Sequence, residues 1–368
     1  MAIDSTRRNL IKAALLASIS PMSQALPLIS STVATSRKVT GTGAFIGCAV
    51  DSSGQYTAVV ASENGAPVHS ITLPARGHGI AVSPNQLKTE AVVFARRPGV
   101  FFQVIDYVTG ERLPFISAQP NRHFYGHGAY SNDGNWLFVT EGESKTSAGI
   151  IGVYDATNSY KKVEELTGFG IGPHEIRVLD NDDIVVAVGG VHTNGRRPLN
   201  LESMLPALCY FNSKGQLSEQ VSLSDKKLSI RHLCTPSSSM VISGQQYRGD
   251  TDDTPPLIAV HKRGQAFYHL QAEDEQWARF NHYIASIEVV DDLLLATSPR
   301  GNCYGIWSLA DNQLLEIDVL PEASGVVKYK QGFFVSSGSG RVAEISRSGD
   351  SHLHKTSVLW DNHLARLG

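Results

Sequence analysis

The sequence predicts an all-β fold, a single β-propeller, and three observations carry that expectation. Short β-rich runs alternate with Gly, Asp, Asn and Pro turns from about residue 37 onward. Helical periodicity is nearly absent, and only 199–205 and 274–283 have room for short helices. A short signature also recurs along the chain, which is the mark of a repeat architecture.

The signature appears as Gly77-His78-Gly79, Gly126-His127-Gly128, Pro173-His174-Glu175 and Arg231-His232-Leu233. Weaker copies without histidine follow at Ala285-Ser286-Ile287 and Ser324-Gly325-Val326. Second strands follow each copy after a turn, as at 136–141, 183–188, 240–243, 293–298 and 332–337. Third strands at 102–110 and 150–158 end in turns of Asp and Thr-Gly or Asn character. This is the strand order of a propeller blade, with the first strand of each copy lining the central channel. The run 45–50 offers one more beginning, so seven blades are counted over residues 37–368. That gives about 47 residues per blade, within the roughly 40–50 of propeller repeats. Six or eight blades stay open, because the N-terminal run can instead complete the last blade. A β-sandwich of this length would be unusual for one domain.

Composition agrees with a large packed body. Of the 368 residues, 42% are hydrophobic and 18% charged, below the roughly 25% charged of ordinary soluble domains. The formal charge is −3, and without a basic stripe nucleic acid is set aside as a partner. Residues 1–25 resemble a twin-arginine export signal: Arg7-Arg8 precedes the apolar run 10–19, and Pro21 breaks it. That run is too short and too rich in Ala and Ser to span a bilayer, so no membrane span is expected. Removing Arg7, Arg8, Lys12 and Asp4 takes the charge from −3 to about −5. Residues 26–36 read as a linker, and a periplasmic location follows. Cys48, Cys209, Cys234 and Cys303 allow three disulfide connectivities, with buried free thiols the alternative.

Superposing the copies places His78, His127, His174 and His232 at one structural position in four successive blades, where the chain enters the innermost strand. Four imidazoles would converge on one mouth, a donor set suited to Zn, Cu, Fe or Ni, with Glu175 as a possible fifth ligand. Each His can equally be a repeat residue bonding between blades. The remaining histidines, His363 among them, are assigned to ordinary surface or turn positions, apart from His123 and His192 as neighbours of the mouth. Turns between second and third strands share that face and carry Arg96, Arg97, Glu141, His192, Arg196, Gln245 and Arg300. With Arg231 and His123 they form a candidate site for an anionic group held by forked hydrogen bonds. The G-x-S-x-G, H-E-x-x-H, Walker and C-x-x-C-H motifs are absent.

Several longer motifs go beyond the repeat: Ala95-Arg96-Arg97-Pro98-Gly99, Arg122-His123-Phe124-Tyr125-Gly126-His127-Gly128, Gly170-Ile171-Gly172-Pro173-His174-Glu175 and Thr297-Ser298-Pro299-Arg300-Gly301. Together they resemble the exported bacterial family catalogued as domain of unknown function 1513. The resemblance covers nearly the whole chain after the signal and implies a propeller. It also implies imelysin-like and di-haem oxidoreductase-like proteins as periplasmic neighbours, and so a role in iron or other metal acquisition. One departure is Val191-His192-Thr193-Asn194, where the family carries an Ile-x-Thr-His order. The sequence therefore predicts a protein holding an iron or copper ion, or a small anionic ligand, at the channel mouth. A lactonase-like hydrolase, a quinoprotein-like oxidoreductase and a scaffold for an operon partner are the competing readings.

Overall fold

The computed structural model describes residues 43–51 and 53–368; the expected signal and linker lie outside the described residues. Seven antiparallel four-stranded sheets form the blades of a β-propeller. Their innermost strands touch one another in turn around the axis. Blade two runs outward from Gly77–Val82 through Glu90–Ala95 and Phe101–Asp106 to Arg112–Ser117. Blades three to seven repeat the pattern from Arg122–Tyr130, Pro173–Val178, Leu228–Ser237, Ser286–Val290 and Ala323–Tyr329.

Blade one is assembled from both ends of the chain. Its inner strand is the C-terminal Leu359–Arg366, paired antiparallel with Phe45–Val50, and Tyr56–Ala61 and Pro67–Thr72 complete the sheet. Phe45–Val50 is thus a second strand and not the inner strand that its position in the sequence suggests. The alternative in which terminal segments share a blade holds, and the count remains seven. Such closure packs blade one against blade seven, with Phe45, Val59 and Trp360 meeting Val327 and Phe334, so neither blade leaves an apolar face uncovered.

Burial follows strand position. The second strand of blade two, Glu-Ala-Val-Val-Phe-Ala, is buried at all but its first residue because sheets cover both its faces. Outermost strands such as Lys161–Ile171 are mainly exposed, and this one carries Lys161, Lys162, Glu164 and Glu165. The core is consequently a series of apolar layers between neighbouring blades. Val93 and Ile105 pack toward blade one with Ile46 and Val60, while Val92, Phe94 and Phe102 pack toward blade three with Leu137 and Tyr154. Among the described residues helix is confined to the one-turn 3₁₀ segment Leu201–Ser203 and the short α-helix Asp274–Ala278. A capping box of Glu273 and Gln276 starts that helix, and its Trp277 stacks on Trp307. All four cysteines are free and buried. Among the described residues no helix is long and apolar enough to cross a membrane.

Candidate functional site

Five imidazoles, not four, meet on the axis. His78, His127, His174, His232 and His363 come from the inner strands of blades two, three, four, five and one, and neighbouring ring centroids lie 4.5–4.9 Å apart. In each of these strands the pairing register shifts at or beside the histidine, for instance between Gly77 and Ile80 and between Pro173 and Ile176. A bulge re-aims a side chain that a regular pleat would send into the packing between blades. The flanking glycines let the bulged strands approach. A Cβ on Gly79 would meet the Gly126 carbonyl oxygen at 2.4 Å, and Gly126 itself has φ +96° with His78 alongside.

The ring nitrogens fall into two overlapping trios. His78, His127 and His174 form one and His127, His232 and His363 the other, with candidate donor atoms within 4.8 Å of one another in each. Two nitrogens on one ion at ~2.1 Å lie no more than ~4.2 Å apart, so small ring rotations close either trio. His127 Nε2, His174 Nδ1, His232 Nε2 and His363 Nε2 are buried without a hydrogen-bond partner. An unpaired buried polar atom costs ~1–3 kcal/mol, so four in one cluster make a polar pocket in which a water, an ion or a ligand group would find partners.

Carboxylates orient two of the rings from behind. Asp361 faces His78 Nδ1 at 3.4 Å and is itself bonded by Arg76, while Glu175 faces His232 Nδ1 at 3.3 Å and pairs with Arg177. This carboxylate–imidazole pairing fixes the tautomer so that Nε2 is free to ligate. Burial alone would raise both carboxyls. The hydrogen bond from His78 with the charges of Arg76 and Arg96 holds Asp361 well below the usual carboxylate range. Arg177 and His232 do the same for Glu175. Burial pushes the imidazoles the other way: His78 falls to about 4, and His127, His174, His232 and His363 are also lowered. Neutral rings are the ligating form.

Above the ring, on the face where the inner strands begin, lies a chamber of about 190 Å³. Its walls are Arg96, Arg97, Arg196, Arg231, Arg248 and Arg300 with Tyr125, Gln246 and Tyr283, and His78 and His174 form its floor. No carboxylate lines it. Among the described residues none of the six arginines has an ion-pair partner, although five other arginines do. Burial lowers the pKa of Arg231, Arg96, Arg97 and Arg248, and neighbouring guanidiniums lower each further. Arg231 is 3% exposed with its Nε unpaired. A Cβ on Gly189 would meet its guanidinium carbon at 2.9 Å, so that glycine makes the space it occupies. Tyr283 lies under Arg300 at 4.5 Å from ring centroid to guanidinium.

Of the residues singled out from sequence, His78, His127, His174 and His232 come together on the axis, and Arg96, Arg97, Arg196, Arg231 and Arg300 meet in the chamber. Glu175 stands behind His232 as its hydrogen-bond partner. Glu141 lies within blade three, accepting hydrogen bonds from Tyr154 at 2.7 Å and Lys162 at 2.8 Å. Gln245 is fully buried and bonds Ser243, leaving its neighbour Gln246 to line the chamber. His123 packs on Tyr125 at 4.7 Å, and His192 bonds Ser147. His363 is not at an ordinary surface or turn position: it is buried in the cluster because its strand closes blade one. Asp361, Arg248, Tyr125 and Tyr283 also belong to the site without having been singled out as candidates. The three-strand opening of blade one is the signal that would have sent the search for an inner strand to the C-terminus.

A family model described as "Protein of unknown function (DUF1513)" matches residues 71–367. No curated protein matches the sequence. The solved structure of Kuenenia stuttgartiensis hydrazine synthase resembles the chain at a TM-score of 0.61 and 13% identity, covering 89% of this chain and 100% of that one. Raptor from Chaetomium thermophilum resembles it at a TM-score of 0.54 and 13% identity, over 80% of this chain and 25% of that one. Identities this low bear on the fold alone.

Proposed function

The chain belongs to the family described as Protein of unknown function (DUF1513), and from that premise we propose that its axial histidines bind a transition-metal ion. The observation that carries the reading is the set of five imidazoles from five successive blades, four of them with a buried nitrogen that has no hydrogen-bond partner. All-imidazole donors suit iron, copper, zinc or nickel, and outer carboxylates on His78 and His232 are the usual companions of such ligands. Iron or copper is the reading adopted, with export to the periplasm and a part in metal acquisition as its setting. His127 belongs to both trios and is the ligand common to any occupancy.

Elemental analysis of the full chain, purified with and without added Fe, Cu or Zn, tests this directly. About one equivalent of metal is expected in the wild type, with a raised melting temperature, and near none in the His127→Ala, His174→Ala double variant. No bound metal and no thermal shift with any of the three ions would overturn it.

A further inference from the structure

We infer that the arginine chamber is a binding site for a small multivalent oxyanion, which rests on the histidine floor and supplies an oxygen to the metal held there. The contact with the metal rests on the reading proposed above; the anion site itself does not. Arg231 and Arg248 each have a buried Nε without a partner, and no acid is among the lining residues, the carboxylate that attracts Arg96 being Asp361 behind His78. Structural arginines in this chain look different, for Arg76, Arg122, Arg177, Arg263 and Arg347 all pair with carboxylates. Guanidinium forks match the oxygen pairs of carboxylate and phosphate groups, and several forks on one small chamber match a ligand with more than one such group. The chamber holds about 190 Å³, below the ~300–1,000 Å³ of sites for drug-sized molecules. Because His78 and His174 form its floor, an anion seated on the arginines lies within reach of any ion bound by those rings.

Calorimetric titration of the full chain with citrate, oxalate, phosphate and sulfate, in metal-free and metal-loaded forms, tests the inference. Saturable binding to the metal-free protein is expected, weakened by salt, and tightened about tenfold or more when metal is present. The carboxylate and phosphate arms identify the source of the oxygens. Arg231→Gln is expected to weaken binding about tenfold or more while leaving the melting temperature of the metal-free protein unchanged or raised, since it removes an unpaired buried charge. Arg97→Gln, at another residue lining the chamber, provides the same readout should Arg231→Gln fail to fold. Absence of binding by all four anions in both forms would overturn the inference, even with metal bound. Equal affinity with and without metal would overturn the contact with the ion. Anion binding by protein that takes up no metal leaves the arginine site standing and removes the metal reading.

Discussion

In blades one to five the innermost strand puts an imidazole on the axis, whereas in blades six and seven the matching stretch carries Ser286 and Ser324. These serines spend their polar groups on the backbone: the Ser286 hydroxyl accepts from the Val326 amide at 3.2 Å, and the Ser324 hydroxyl donates to the Glu322 carbonyl at 2.8 Å. Strand geometry does not separate the two sets cleanly. Blade seven has the same register shift as the histidine blades, between Ala323 and Val326, while the pairs of blade six run without one. A bulge therefore makes an axial side chain available, and residue type decides what is done with it. The serine blades are satisfied within the protein; four of the five histidine blades keep a ring nitrogen that is not.

That contrast can be broken most severely at His127. His127→Ala is expected to reduce bound metal from about one equivalent to near zero by elemental analysis, whereas Ser286→Ala leaves uptake unchanged. A smaller effect is expected one layer out. Asp361→Asn and Glu175→Gln keep all five imidazoles but loosen the rings they orient, and metal affinity should fall about 10–100-fold in a chelator competition titration.

Acid provides a third way to separate the blades. His78 and His123 stay neutral in the fold down to about 4, whereas an exposed imidazole takes up its proton near 6.5. Below about pH 6.5 the unfolded chain binds more protons than the folded one, so the metal-free protein should lose stability progressively from there toward pH 4. Melting curves across that range check it, and substituting Ser for His78 should flatten the slope. The mildest effect on the site is expected from Glu141→Ala. It breaks the buried contacts with Tyr154 and Lys162, costing about 3 kcal/mol of stability in denaturant titrations, while metal uptake by the folded protein stays as in the wild type.

Much of the architecture was legible because blades repeat. Gly77-His78-Gly79 and Gly126-His127-Gly128 announce themselves, since glycine on both sides of a histidine is what a crowded bulge on the axis requires. His363 was not legible in the same way, because Asp361-Asn362-His363-Leu364 has no flanking glycine and lies beyond the last recognisable copy of the signature. Its membership follows only from ring closure, a relation between the two ends of the sequence that no local window contains. Glu141 shows the opposite failure. A turn-adjacent acid facing the expected mouth looks like a ligand group, but strand alternation turns its carboxylate inward, toward Tyr154 and Lys162. Arg96, Arg97, Arg196 and Arg300 were legible together because turns between second and third strands share one face in every blade, whereas Arg248, in such a turn of blade five, was not singled out. Their lack of acidic partners was not, since pairing depends on distances across blades.

The shared composition of blade one gives the histidine cluster a clasp. Four of its rings belong to inner strands of consecutive blades, but the fifth arrives on Leu359–Arg366, held against Phe45–Val50 from the far end of the described chain. Fastening the ring of sheets and completing the five-imidazole cluster are therefore one event. Any ligand that grips His363 together with His127 also tightens the seam between the first and last strands, so occupancy and circular closure strengthen each other.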